Sequence, residues 1–187
     1  LGNPSNDLKV LFPEMTSFKE DARELNKLQD GEKRFKELKD RLGSDLDPVY
    51  ETFDTPYTVY TVFKGQEIIG IVHGVNVPGK GGVIQVFLAA DSKTGEIKRA
   101  FFQRLESPAA KQLKSKEFLA QFTGLTLPDF YKHDYYKAAD PKTEKDKVGK
   151  VQPPANLDEK GKPDYEASLR GVRKNLILLD LFVYDLK

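Results

Sequence analysis

The sequence predicts an α+β domain: an antiparallel β-sheet of about four or more strands, short helices before it, and a C-terminal helix packed on the sheet. Two observations carry that expectation. Between residues 57 and 102, runs of β-branched and aromatic residues alternate with glycine-bearing turns, the pattern of hairpin-linked strands. After residue 164, Leu169, Val172, Leu176, Leu179 and Val183 recur at alternating steps of three and four, the stripe of a helix lying on an apolar surface.

The opening segment, 8–18, gathers Leu8, Val10, Leu11, Phe12 and Met15 around a break at Pro13. The charged stretch 19–42 reads as two short helices parted at Asp30–Gly31. Phe35, Leu38 and Leu42 form one stripe of the second, Asp30 can cap it through its carboxylate, and Gly43 can end it. Strands follow over 57–63, 67–75, 83–90 and 96–102. They are joined by Lys64–Gly65, by the glycine-rich turn 78–82 and by the turn 91–95.

Ser115 is placed to cap a short helix that buries Phe118, Leu119 and Phe122, with Gly124 ending it in the left-handed conformation. From 127 to 163 the chain is polar and lysine-rich, with prolines at 128, 141, 153, 154 and 163, so a long, partly mobile surface excursion is expected. Asp164 then opens the final helix.

At 187 residues the chain suits a single domain, 1–187, and a hydrophobic share of 39% with 12 Phe and 8 Tyr fits a packed core. Thirty basic and 29 acidic side chains nearly cancel, so no global charge draws the chain to nucleic acid or an anionic membrane. No window approaches eighteen uninterrupted apolar residues, which leaves no membrane span in the chain as given. Cysteine is absent, excluding disulfides, thiolate nucleophiles and iron–sulfur ligation. The chain opens at Leu1 on a polar leader, and a signal, anchor or tag removed from upstream is the expectation.

Generic catalytic constellations find little material. His73 and His133 stand sixty residues apart, one reading as a strand histidine and one as a loop histidine, and neither a zinc site nor a histidine triad has its remaining members marked. The 79–82 run lacks the spacing and following Ser/Thr of a phosphate loop and precedes a strand, so a tight hairpin turn is the reading. Glu106 has no second carboxylate marked as an acid/base partner. The lysines of 142–162 alternate with Glu144, Asp146, Asp158 and Glu159 and lack aromatic residues for base stacking, which describes a solvated loop.

Several short segments, in order, carry a likeness to a known family. They are Leu11–Phe12–Pro13, Gly65 to Val72, the Gly79–Lys80–Gly81–Gly82 turn with its following strand, Gly95–Glu96–Ile97, and Arg104–Leu105–Glu106–Ser107–Pro108 followed by the Ser115–Gly124 helix. Together they resemble the FMN-binding domain family, which includes the peripheral flavin-carrying subunits of Rnf-type and sodium-pumping quinone reductases. The likeness spans most of the chain.

The resemblance implies FMN as cofactor, electron transfer in an extracytoplasmic setting, and a redox partner protein or membrane electron-transport complex. It places Arg104, Glu106, Ser107 and Pro108 at the family's His-x-Glu-Thr-Pro loop, as one wall of the flavin site. Ala109, Ala110 and Lys111 stand where that loop continues Gly-Leu-Gly, and Cβ atoms there hinder close backbone approach. Ala167 and Ser168, at the start of the last helix, would form the phosphate end. The place of the family's covalent Ser-Gly-Ala-Thr motif corresponds here to residues 163–168, with Glu166 at the acceptor threonine. Glutamate forms no phosphoester and repels phosphate, so any flavin is expected to be non-covalent, with Arg104, Arg170 and Arg173 offered to the phosphate. The rival expectation is a flavin-free relative that serves as an interaction or scaffold module. An unrelated small-molecule site is a third, unsupported by any motif.

Overall fold

In the computed structural model, which describes residues 3–49, 51–131, 141 and 143–184, the sheet is an antiparallel meander of five strands in the order β1-β2-β3-β4-β5. These are β1 (Ser17–Glu24), β2 (Pro56–Lys64), β3 (Glu67–Pro78), β4 (Val83–Ala90) and β5 (Ile97–Arg104). The four expected strands are all present.

The fifth, β1, takes the place of the first of the two short helices expected over 19–42. Its sequence, SFKEDARE, carries no helical apolar stripe, and all eight residues pair with β2, from Ser17↔Phe63 to Glu24↔Pro56. Thr16 secures the register: its N–H and its hydroxyl both donate to the Phe63 carbonyl, and Gly65 N–H donates to its Oγ1 at 2.7 Å. A charged strand is tolerated because it lies at the sheet edge, where charge discourages further pairing.

Helix α1 (Pro4–Leu11) lies on one face of the sheet. Leu8, Leu11, Phe12 and Met15 pack there against Tyr60, Val62, Val72, Phe87 and Ala89. Helix α2 (Gly31–Leu42) buries Leu38 and Leu42 and ends at Gly43 with φ 54°. Asp30 precedes it but makes no side-chain cap bond; its carboxylate instead accepts from Arg34 Nε at 2.8 Å.

Beyond β5 come the short helices α3 (Ala110–Leu113), α4 (Lys116–Ala120) and α5 (Leu127–Tyr131). Ser115 Oγ caps α4 by accepting from Phe118 N–H, and Gly124 turns the chain at φ 87°. The 127–163 segment is more than a surface excursion. Phe130 of α5, Val148 and Val151 are buried in the main core, because apolar residues spaced among the lysines reach inward. His133 lies outside the described residues.

Helix α6 (Lys162–Leu179) covers the other sheet face and begins two residues before Asp164. Leu169, Val172, Leu176 and Leu179 are buried as the stripe predicts. One wider turn, Asp180–Tyr184, continues it and leaves Val183 half-buried. Asn175 fixes the helix across the sheet by donating from Nδ2 to the carbonyls of His73 (2.9 Å) and Val86 (3.0 Å). Among the described residues, no helix is long and apolar enough to cross a membrane.

Candidate functional site

The turn after β5 and the first turn of α6 meet. Ser107 Oγ donates to Asp164 Oδ2 at 2.5 Å, and Lys80 N–H, in the β3–β4 turn, donates to Asp164 Oδ1 at 2.7 Å. Three segments distant in sequence thus converge on one carboxylate, which is fully buried. Ser107 Oγ also accepts from Ala109 N–H at 3.1 Å, fixing the turn.

The β3–β4 turn approaches closely enough to require glycine. A Cβ on Gly81 would stand 2.2 Å from the Glu106 carbonyl oxygen. This turn is closed by Gly79 N–H donating to Gly82 O at 2.9 Å, the tight hairpin turn expected for 79–82.

Of the residues singled out from sequence, Arg104 and Glu106 lie at the surface, joined by Arg104 Nε and Nη2 to Glu106 Oε1 at 3.0 and 2.8 Å. Pro108 is exposed and Ser107 half-buried. Ala167 and Ser168 are buried, and the Ser168 hydroxyl donates to the Asp164 carbonyl at 2.7 Å, inside its own helix. Glu166 and Arg170 are half-buried on the outer face of α6. Arg173 reaches away to Asp45 at 3.3 Å and covers the Tyr131 ring.

Across the whole chain the fold is matched by a known structure. NqrC from Shewanella oneidensis superposes with a TM-score of 0.56 over 100% of this chain and 89% of that one, at 14% sequence identity. The fold is that of NqrC. No protein-family model matches the chain, and no curated protein sequence does. At 14% identity the NqrC likeness fixes the architecture, and each side chain's role rests on this chain's own geometry.

That geometry bears on FMN, the cofactor implied by the family resemblance. Covalent attachment at the start of α6 does not fit: Glu166 offers a carboxylate, and the Ser168 hydroxyl is buried and engaged. A phosphate at the N-terminus of α6 meets opposition too. The Asp164 carboxylate already holds the Lys80 and Ser107 donors, and a carboxylate in the first turn competes with a phosphate for them. Arg104 is exposed and paired with Glu106, and Arg170 is half-buried on α6.

Sequence reasoning found the Ser107 turn and the α6 start but missed Asp164 as their junction. An aspartate in the first turn of a helix is ordinary dipole complementarity, and nothing in the sequence marks its partners.

A second constellation was also missed. Lys174 and Glu51 form a buried ion pair, Nζ to Oε1 at 2.5 Å, with side-chain exposures of 3% and 7%. Beside them His73 is buried, donating from Nδ1 to Asn175 Oδ1 at 2.8 Å. Burial lowers the His73 pKa to about 4, only partly offset by the Asn175 bond, so the ring is neutral at pH 7.

Proposed function

We propose that this chain is an electron-transfer domain of the FMN-binding type, working outside the cytoplasm with a redox partner protein or a membrane electron-transport complex, and holding FMN non-covalently. One observation carries this reading: the 104–108 turn and the start of α6, the two segments that the family resemblance assigns to the flavin, are joined by the Ser107–Asp164 hydrogen bond. The NqrC fold over the full chain supports it.

The bound FMN would supply the one- or two-electron redox cycle of its ring. Arg104, Glu106, Ser107 and Pro108 form one wall. Arg104, on leaving Glu106, and Arg170 would hold the phosphate by charge-assisted hydrogen bonds. Ala167 and Ser168 act from beneath, setting the position of the first turn of α6 through packing. Asp164 keeps the phosphate off the helix backbone, so binding is weak and salt-sensitive.

A flavin-free relative serving as an interaction or scaffold module is the second reading. The Asp164 carboxylate favours it, because an internal anion already satisfies the donors that a phosphate would use.

A visible absorption spectrum of the purified chain, before and after FMN addition and then after acid precipitation, separates the two. Flavin bands that leave with the acid supernatant support the non-covalent carrier. Flavin retained in the precipitate overturns the non-covalent link. No band, and no quenching of FMN fluorescence on titration, selects the flavin-free module.

A further inference from the structure

β5 ends the sheet, and most of its outer edge is open. It pairs with β4 alone. Only its start is covered on the other side. Ile97 N–H donates to the Leu125 carbonyl at 2.9 Å, Gly124 N–H donates to the Ile97 carbonyl at 2.8 Å, and the Thr123 hydroxyl donates to the Lys98 carbonyl at 3.2 Å.

These bonds set the phase of the strand. Ile97 aims its backbone outward, so it and Ala90 form a non-hydrogen-bonded pair and Ala90 turns to β3. Along β4 the alternate residues Leu88 and Val86 turn the same way. Their partners Ala100 and Phe102 therefore direct their N–H and C=O groups out of the sheet. The Val86 carbonyl agrees with this phase, because Asn175 Nδ2 donates to it together with the His73 carbonyl of β3. Among the described residues, nothing engages the outward groups of Ala100 and Phe102.

Residues 98–101 line a groove of about 580 Å³ with α1 on one face of the sheet and α4 on the other. Val10 of α1, 56% exposed, and Leu119 and Ala120 of α4 give it apolar walls. Its rim is cationic. Lys114 and Lys116, on the α4 side, are exposed and make no ion pair among the described residues. Arg99, on the α1 side, is exposed and donates to the Val10 carbonyl at 3.2 Å. No carboxylate lines the groove among the described residues.

Strand edges commonly avoid pairing by carrying charge. Charge of a single sign is selective, however. It opposes a second copy of β5, which would bring its own Arg99, Lys114 and Lys116 against these, and it attracts a strand of opposite sign.

We propose that the outer edge of β5 is a docking site for an extended acidic segment of a partner protein, which adds a strand to the sheet. Its backbone exchanges hydrogen bonds with Ala100 and Phe102. Its carboxylates, on the α4 side, meet Lys114 and Lys116, and the alternate apolar side chains rest on Val10. This docking is independent of the flavin reading.

The test is a titration of the full chain, followed by amide NMR, with a capped Val-Glu-Val-Glu-Val-Glu-Val peptide. The same peptide with lysine for glutamate, and phosphatidylglycerol vesicles, are the comparisons. Saturable shifts at residues 99–103, slowed amide exchange at Ala100 and Phe102, and at least about tenfold weaker binding of the lysine peptide are expected. Lys114→Glu with Lys116→Glu changes two exposed side chains; it should stay folded and bind the glutamate peptide about tenfold more weakly. Ala100→Pro removes an outward N–H and no sheet hydrogen bond, which an edge strand tolerates, and should weaken binding about tenfold or more. No saturable shift at these residues up to the solubility limit overturns the proposal. So does peptide binding that leaves amide exchange at Ala100 and Phe102 unchanged, or a folded double lysine variant that binds as before. Shifts at this edge with vesicles and none with the peptide overturn it in favour of an anionic membrane surface.

Discussion

Ser107 and Asp164, 57 residues apart, share a hydrogen bond of 2.5 Å that ties the turn after β5 to the first turn of α6. Because Lys80 N–H donates to the same carboxylate, one buried anion organises three segments. Asp164→Ala strands a backbone donor and a hydroxyl and is expected to cost about 2–3 kcal/mol, read as a lower urea midpoint. Asp164→Asn keeps an acceptor for Lys80 and should cost about 1 kcal/mol. If Asp164 is what holds a phosphate away, Asp164→Asn also tightens FMN binding about tenfold in a fluorescence titration. Unchanged affinity would count against that role.

The Lys174–Glu51 pair is a different electrostatic case, buried and supported by hydrogen bonds at both ends. Lys174→Met or Glu51→Gln alone leaves one charge unpaired in the interior and should lower stability by about 3–5 kcal/mol. Replacing both, Lys174→Met with Glu51→Leu, should recover most of that loss. A double-mutant cycle by chemical denaturation measures the coupling, and additive single effects would show that the pair is not energetically linked.

His73 predicts a pH dependence with a definite sign. Its folded pKa is about 4 against 6.5 when unfolded, so between those values the unfolded state binds more protons. Stability is therefore full above about pH 6.5 and falls as the pH drops toward 4. At 1.36 kcal/mol per pH unit, the loss is at most about 3.4 kcal/mol. His73→Gln should remove this slope from a series of denaturation curves between pH 4 and 7, whatever it does to stability at pH 7.

Gly81 lies against the Glu106 carbonyl, and its substitution tests how the β3–β4 turn seats the 104–108 turn. Gly81→Ala forces backbone apart at a 2.2 Å approach and should cost about 1–3 kcal/mol. Amide shifts in Gly81→Ala should extend to residues 104–108. Arg104→Ala, which breaks only an exposed ion pair, should leave stability within about 0.5 kcal/mol.

Much of the architecture was legible along the chain. Tyr57 to Phe63 and Val83 to Ala90 are β-branched and aromatic enough to be strands in almost any surroundings, and Ser115 and Gly124 mark helix ends by local chemistry. The β1 strand was not legible. SFKEDARE has no apolar alternation, and it is extended because the free edge of β2 offers eight partners. Val148 and Val151 escaped notice for a similar reason: two valines among lysines are a core only once α6 and the short helices surround them.

The sequence by itself determined the antiparallel meander, the stripe of α6, the absence of cysteine chemistry and the turns at Gly43, Gly65 and Gly124, because each follows from residues within one or two turns of one another. The tertiary structure alone decided which carboxylate would sit at the start of α6, with Ser107 and Lys80 as its donors. It alone paired Lys174 with Glu51 and opened the sheet at Val59 and His73. The carboxylate junction and the ion pair depend on contacts between residues from 57 to 123 positions apart, and local propensity carries no information about which distant donor will meet which acceptor.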